Sequence, residues 1–224
     1  MLRKLRKLLN AKPRYTPTPT LCILIVGALY WWYPASHVAV ETVIPVTVVR
    51  LCGHHSAFCM SHQQGIAAVE GASRYWEQYG IKLQVVGVDT INSCAWSQIS
   101  GNGKGLGETT RITRILEAEY NTLVVVLPEG FTELDGSGAP YIAGLASVGR
   151  NGFALAMTDW RVAAHEMAHV LCGCYHTRWF IQPNNILESG LSNDHLPKEE
   201  IRLTAWQAYV ARKHAKKLAA RYSQ

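Results

Sequence analysis

Beyond about residue 40, apolar positions recur along the chain with two different periods. Apolar residues at every third or fourth position predict one face of a helix, and alternating or continuous apolar runs of about four to eight residues predict strands. Helices are predicted over residues 63–79, 111–120 and 160–171, and from Pro197 to about Arg221. Strands are predicted over residues 42–51, 81–88, 122–127 and 153–157. This order indicates an α+β fold, a mixed twisted β-sheet packed with helices.

Details within these segments refine the prediction. Residues 122–127 (TLVVVL) are almost wholly apolar, as is typical of a strand buried in the middle of a sheet. Pro45 lacks a backbone N–H, so the first strand either lies at a sheet edge or starts late. Residues 91–108 are polar and glycine-rich and are predicted to form a long loop. Thr158 or Asp159 is expected to cap the third helix.

The first 40 residues differ from the rest. Residues 1–14 carry six basic side chains and no acidic one, and residues 21–33 (LCILIVGALYWWY) are apolar and uncharged. This pattern is typical of a cleaved secretory signal or an uncleaved signal-anchor. The run is shorter than the ~17–25 residues of a full span. It ends in Trp31, Trp32 and Tyr33, suited to a membrane interface, and no clear small-residue cleavage site follows, which favours the anchor.

The chain therefore divides into an N-terminal segment, residues 1–40, and one folded domain, residues 41–224. We expect the domain outside the cytoplasm, either anchored in the membrane through a transmembrane helix or secreted. Six cysteines suit that compartment. With Cys22 in the apolar run, an odd number remains, and the pairings considered are Cys52 with Cys59 and Cys94 with Cys172 or Cys174.

The net charge of +6 is concentrated at the two ends of the chain. Residues 202–221 hold six basic side chains without an acidic one, and the section between the two basic ends is net negative. A nucleic-acid-binding domain usually shows a basic face on its fold, so this distribution argues against a nucleic-acid partner. The basic C-terminal helix is either a solvated face or a contact for anionic lipid or an acidic partner.

The segment HEMAH on the third predicted helix carries the clearest chemistry. His165 and His169 lie four residues apart, so both imidazoles project from one helix face and can bind the same metal ion. Glu166 is rotated by about 100° from His165, beside the metal, where a carboxylate can act as general base. An amphipathic helix can carry two such histidines without binding metal. The glycine and the further histidine that follow favour a metal site.

A hydrolytic zinc site uses three protein ligands and keeps one position open. Gly173 can end the helix in a left-handed conformation and return the chain, so that His176 becomes the third ligand. Three alternatives stay open for that position: Cys172, Cys174 or a carboxylate. Glu188, 22 residues beyond Glu166, is the carboxylate that a rival zinc arrangement would use.

These residues resemble the metzincin metallopeptidases, whose pattern is HExxHxxGxxH followed by a tight turn with a methionine beneath the zinc. Gly173 and His176 each come one residue later than in that pattern. The segment NNILESG, residues 184–190, resembles the Met-turn, with Leu187 in the methionine position and Ser189 where some members have a tyrosine. The resemblance implies Zn²⁺ bound by His165, His169 and His176, and an active-site helix followed by a turn and a long C-terminal helix.

The resemblance also implies that the strand before the active-site helix, around residues 147–157, is the edge along which an extended peptide lies. The implied activity is that of a zinc-dependent endopeptidase acting on peptide or protein substrates. The alternatives are a non-catalytic, zinc-stabilised binding module and a zinc amidase acting on cell-wall peptides. An intact Glu166 argues against the non-catalytic module.

Other candidates are weaker. Residues 52–62 are rich in cysteine and histidine and could hold a second metal, although a disulfide loop with surface histidines fits better. Residues 101–107 (GNGKGLG) lack the glycine spacing of a phosphate-binding loop. His195 and His214 belong to no cluster of metal-binding residues in the sequence and are expected at the surface.

Overall fold

The computed structural model describes residues 27, 36–53, 60–93, 98–100, 103–132, 144–146, 151–176, 184–188 and 200–224. The strands are β1 (Val38–Cys52), β2 (Tyr79–Asn92), β3 (Gln98–Ser100), β4 (Leu123–Pro128), β5 (Gly130–Thr132), β6 (Gly144–Ala146) and β7 (Gly152–Leu155). The helices are α1 (His62–Trp76), α2 (Gly103–Tyr120), α3 (Trp160–Cys172) and α4 (Ala205–Tyr222).

Five strands form one mixed sheet in the order β2-β1-β4-β7-β6. The first four run parallel, and β6 pairs antiparallel with β7 at one edge. A separate short parallel pair joins β3 to β5. With helices on both faces of the sheet, the predicted α+β class is confirmed. The prediction of a buried central strand is also confirmed, since every residue of β4 is buried.

The buried side chains of β1 are divided between the two faces of the sheet. Ile44, Val46 and Val48 lie in the larger core cluster, together with the buried residues of α1, α3 and α4. Val49 and Leu51 belong to a second cluster that contains residues of α2. Because side chains on a strand point alternately to opposite faces, β1 contributes to both cores. The helix α3, which carries the HEMAH segment, is thereby held in the larger core.

Pro45 lies where β1 gains its second neighbour. β1 begins at Val38, so the proline does not delay the strand. Before Pro45, β1 pairs with β2 alone, and β4 pairs with β1 only from Val46 onward. β1 lies between β2 and β4, so the expectation of an edge strand is wrong as well. The missing N–H is tolerated because β4 pairs with β1 only from Val46 onward, which leaves Pro45 with one described partner strand.

Residues 91–108 are not one long loop, contrary to the prediction. β2 continues to Asn92, β3 follows, and α2 begins at Gly103 rather than Arg111. Glycine disfavours a helix by about 1 kcal/mol per residue. Burial of Thr109, Ile112 and Leu116 outweighs that cost.

The C-terminal helix also starts later than predicted, at Ala205 rather than Pro197. Thr204 caps it, accepting a hydrogen bond from the backbone N–H of Gln207, whose own side chain accepts from the N–H of Thr204. This capping box, T-x-x-Q, is readable in the sequence and was missed. The preceding Ile201 and Leu203 are buried, which holds the chain extended up to the cap.

The predicted signal-anchor, residues 21–33, lies outside the described residues except for Gly27. Among the residues that the structure does describe, none belongs to a helix with the length and apolarity to span a membrane.

Candidate metal centre

The helix α3 carries HEMAH, and its two ends are defined by specific side chains. Asp159 caps its start, because its carboxylate accepts a hydrogen bond from the N–H of Arg161 at 2.8 Å. Gly173 ends it in a left-handed conformation with φ of 65°, and its N–H donates to the carbonyl of His169 at 3.2 Å. The predicted cap and the predicted glycine stop are both confirmed. The turn after Gly173 leads the chain back toward the helix.

Three imidazoles converge at this turn. The Nε2 atom of His165 lies 3.1 Å from Nε2 of His169 and 3.0 Å from Nε2 of His176. One ring nitrogen from each residue lies within 4.8 Å of those of the other two, so the three side chains could hold a metal ion. Among the described residues they form the one cluster of three or more potential metal ligands.

The hydrogen bonds of the Nδ1 atoms determine that the Nε2 atoms of His165 and His169 face the centre of the cluster. Nδ1 of His165 donates to the carbonyl of Ile186, and Nδ1 of His169 donates to the carbonyl of Cys174, each at 2.6 Å. In a neutral imidazole with a proton on Nδ1, Nε2 carries only a lone pair. Two lone pairs 3.1 Å apart repel each other, and a cation between them turns that repulsion into binding. The two hydrogen bonds from Nδ1 to backbone carbonyls are the support that metal-binding histidines ordinarily have.

Burial keeps these imidazoles neutral. Burial and the neighbouring rings lower the pKa of His165 to about 3, and burial lowers the pKa of His169 to about 4. The ring of His176 reaches the surface, but partial loss of water lowers its pKa as well. Neutral imidazole is the form that binds metal, so no proton must leave before binding at neutral pH.

The donor set fits a zinc ion. Ring nitrogens bound to zinc at about 2.0–2.1 Å in a tetrahedron are roughly 3.3 Å apart. The two spacings from Nε2 of His165 are close to this value, and all three nitrogens lie within 4.8 Å of one another. Three imidazoles leave one position of a tetrahedron open, as in catalytic zinc sites. Imidazole also binds copper, iron and nickel, so the ligands by themselves do not fix the metal.

Glu166 lies on the side of α3 that faces β6. Its carboxylate is buried and accepts a hydrogen bond from the backbone N–H of Ala146. Burial raises the pKa of Glu166 to about 8. β6 comes so near that a Cβ atom at Gly144 would lie 2.7 Å from Cγ of Glu166. Glu166 is thus confined between α3 and the edge strand, one residue from a potential metal ligand.

The segment 184–188 supports the histidines from another direction. Leu187 is fully buried in the main core, and the carbonyl of the preceding Ile186 accepts from His165. Asn185 holds this turn, since its side chain accepts from the N–H of Leu187 and donates to Gln207 of α4. Sequence reasoning missed Ile186 and Cys174, because each acts through a backbone carbonyl, which leaves no residue-type signal.

The alternative third ligands are not supported. Cys172 and Cys174 form a disulfide bond with each other, so neither has a thiolate to offer, and the predicted pairing of Cys94 with one of them is wrong. Glu188 is buried but does not belong to the histidine cluster.

Three weaker predictions concerned the segment 52–62, His195 and His214. His62 hydrogen-bonds through Nε2 to the carbonyl of Asp89 at 2.8 Å, away from the histidine cluster. Cys52 is disulfide-bonded, while Cys59 and residues 54–58 lie outside the described residues, as does His195. His214 is not a plain surface residue: its half-buried ring donates to the carbonyls of Val170 and Leu171 at the end of α3.

The predicted edge strand requires a correction. β7, which falls within residues 147–157, is flanked by β4 and β6 and is therefore interior. The edge of the described sheet is β6, antiparallel to β7, and residues 147–150 between them lie outside the described residues. Residues 141–148 (YIAGLASV) are largely apolar and residues 149–152 (GRNG) are typical of a turn, but β6 was not predicted as a strand of its own.

Comparison with known proteins adds a likeness of fold. No protein-family model and no curated protein sequence matches the chain. One similar solved structure, described as a chaperone–substrate complex, has a TM-score of 0.53 and 16% identity, covering 81% of this chain and 35% of that one. At this identity the match shows the fold alone, and this chain spans about a third of the other's length.

A second solved structure is metalloproteinase-II from Bacteroides fragilis. Its TM-score is 0.39 at 13% identity, over 64% of this chain and 47% of that chain. A score this low does not establish a shared fold, so the likeness carries no weight for function.

Proposed function

We propose that the chain is a zinc-dependent endopeptidase similar to the metzincins. The observation that carries the proposal is the convergence of three neutral imidazoles, two of them oriented by backbone carbonyls, beside the buried carboxylate of Glu166. A purely structural zinc site fills all four positions with protein ligands and needs no adjacent carboxylate.

In this proposal His165, His169 and His176 hold the ion and Glu166 is the general base. When bound, zinc polarises a carbonyl and lowers the pKa of a water ligand toward neutrality. A cation bound beside Glu166 would lower its raised pKa again, because a nearby positive charge favours the ionised carboxylate. That carboxylate takes a proton from the water whose oxygen attacks the carbonyl carbon of the peptide. As the C–N bond breaks, Glu166 returns that proton to the departing amine nitrogen. Leu187 is buried in the main core, and in this proposal it takes the packing role of the Met-turn residue.

The substrate would lie along β6. This strand is at the edge of the described sheet, and its Ala146 contacts Glu166 directly. An extended peptide can pair with such an edge through backbone hydrogen bonds, with pockets for alternate side chains. A peptide paired there would pass close to Glu166, which supports a polypeptide substrate.

We also propose that the domain works outside the cytoplasm, anchored or secreted. The basic and apolar pattern of residues 1–33 supports this, and so do the disulfide bonds at Cys172–Cys174 and Cys52. Stable disulfides are rare in reducing compartments.

The test is zinc content together with cleavage of casein and a peptide library, using the full chain in detergent. Parent protein, Glu166→Ala and a matched control, Glu119→Ala at an exposed position on α2, are compared. We expect about one zinc per chain in all three and cleavage in the parent and control only.

Other outcomes separate the alternatives. Zinc binding with equal, background cleavage in all three proteins would identify a non-catalytic module. Cleavage of peptidoglycan stem peptides but not of casein or the library would indicate a cell-wall amidase. A parent that binds no zinc would refute the metal site itself.

A further inference from the structure

The outward face of α4 carries a continuous stripe of aromatic and basic side chains. Its members, which we call the α4 stripe, are Trp206, Tyr209, Lys213, Lys216 and Lys217, all exposed. Steps of three and four residues place them on one side of the helix. At 1.5 Å per residue the stripe is about 16 Å long.

The stripe has an aromatic end and a basic end. Trp206 and Tyr209 are 37% and 45% exposed, and their ring centroids lie 6.0 Å apart. Neither Lys213 nor Lys217 is ion-paired with any residue that the structure describes, whereas Lys216 pairs with Glu41 at 2.9 Å. α4 itself contains no acidic residue, so its outer face attracts anions.

The opposite side of α4 fixes this orientation. Ala208, Ala211, Ala215 and Leu218 are buried in the main core. The alanines allow the helix to lie close to the sheet, and rotation of the stripe inward would expose them and bury charge. The stripe is therefore presented outward by the packing of the fold.

An anionic membrane surface suits this arrangement better than a protein or nucleic acid. Trp and Tyr are enriched where membranes meet water, and lysines near anionic lipid headgroups each add roughly 1 kcal/mol of attraction. The Lys216–Glu41 ion pair also places the stripe beside the start of β1. Glu41 follows the apolar run 21–33 by eight residues, so a membrane holding that run would be within reach.

We propose that the α4 stripe docks the folded domain on the surface of an anionic phospholipid bilayer. The rings of Trp206 and Tyr209 lie at headgroup level, and the lysines contact lipid phosphates. Docking would fix the orientation of the domain relative to the membrane. This inference is independent of the proposed peptidase activity.

The first test measures partition of the full chain onto phosphatidylcholine vesicles with and without phosphatidylglycerol. Lys213→Gln/Lys217→Gln is compared with Arg111→Gln/Arg114→Gln, which removes two exposed charges from α2 instead. The N-terminal segment contributes equally to all three proteins. At roughly 1 kcal/mol per lysine, we expect the α4 variant to bind anionic vesicles about 30-fold more weakly than the parent, with the α2 variant near the parent.

The second test locates the contact. Brominated lipids should quench tryptophan fluorescence in the parent, and Trp206→Phe should remove a distinct part of that quenching. Equal partition of both charge variants, or unchanged quenching in Trp206→Phe, would overturn the proposal. So would a loss of polyglutamate binding in the α4 variant without any loss of vesicle binding, which would indicate an acidic protein partner. Circular dichroism checks that each variant is folded.

Discussion

At Gly144 the backbone of the edge strand passes against the carboxylate proposed as general base. A Cβ atom there would lie 2.7 Å from Cγ of Glu166 and 2.8 Å from Cγ1 of Val162. Real Cβ atoms do not tolerate such contacts, so either the strand or Glu166 must move. The absence of a side chain at position 144 is therefore a requirement of the site.

We expect Gly144→Ala to lower kcat while zinc content stays at the parent level. A displacement of about 1 Å in a catalytic group can cost roughly 100-fold in rate. The measurement is kcat and zinc stoichiometry side by side. Gly107→Ala is the control, since nothing lies within 4 Å of its added Cβ. An unaltered kcat in Gly144→Ala would mean that the position of Glu166 is not critical.

A second residue-scale prediction concerns Tyr120, whose hydroxyl donates to the carboxylate of Asp89. Burial and this carboxylate raise the pKa of Tyr120 from 10.0 to about 12. A raised folded-state pKa stabilises the fold fully below pH 10, and that contribution disappears as pH rises from about 10 to 12.

Tyr120→Phe should therefore lower the free energy of unfolding by roughly 0.5–1 kcal/mol at neutral pH, the low range for a hydrogen bond near the surface. Urea unfolding of parent and variant from pH 7 to 12 measures the difference. We expect the difference to shrink above pH 10. A constant difference across that range would show that the hydroxyl does not act through Asp89.

At the scale of elements, the turn that ends α3 links helix geometry to the proposed metal centre. Gly173 adopts φ of 65°, and the next residue supplies the carbonyl that orients His169. Three residues beyond Gly173, His176 reaches Nε2 of His165. One left-handed residue thus sets the positions of a potential metal ligand, His176, and of the carbonyl that orients His169.

Gly173→Ala should destabilise the fold by about 1–2 kcal/mol, the cost of a left-handed conformation with a Cβ atom. It should also weaken zinc binding, because the strain is relieved by moving His176. Gly107→Ala, in the helical stretch of α2, should instead leave zinc affinity unchanged and raise stability by about 0.5–1 kcal/mol. Competition with a zinc indicator and urea unfolding give both values. Unweakened zinc affinity in Gly173→Ala would separate the turn from the metal centre.

The elements predicted correctly are those whose signal is local. The continuous apolar run of β4 and the cap and glycine stop of α3 depend on neighbours within a few residues. The start of α2 was missed because burial against the sheet, which sequence does not display, overrides the glycines near Gly103. The beginning of α4 was missed for a different reason: Pro197 is a plausible first residue, but Thr204 caps the helix.

The residues of the candidate site can likewise be separated into those that the sequence predicts and those that it does not. His165, Glu166 and His169 follow from helical spacing, and His176 from the glycine turn. The carbonyls of Ile186 and Cys174 and the proximity of Gly144 to Glu166 could not be predicted. They depend on how distant segments meet, and a backbone carbonyl looks the same in every residue.

At the scale of the whole molecule, the sheet brings together parts of the chain that are far apart in sequence. β4 pairs with β1 and β7, and β6 adds an antiparallel edge beside α3. The residues of the proposed site therefore come from three separate elements: α3, the turn at residues 184–188 and β6. A metal ion at the histidines would join the first two of these, because His165 is tied to Ile186.

Metal binding should for this reason stabilise the whole fold. A ligand at 100 times its Kd adds about 2.7 kcal/mol to the folded state, and for a chain of this size each kcal/mol moves Tm by about 2–4 °C. Removal of zinc by a chelator should lower Tm by about 5–10 °C, and zinc should restore it. His176→Ala should lose most of that response, whereas His37→Ala, at an exposed position outside the cluster, should keep it. Differential scanning calorimetry with and without chelator measures the shift. Were His176→Ala to respond like the parent, the third ligand would have to be a group other than His176, and the site would need only His165 and His169 from this cluster.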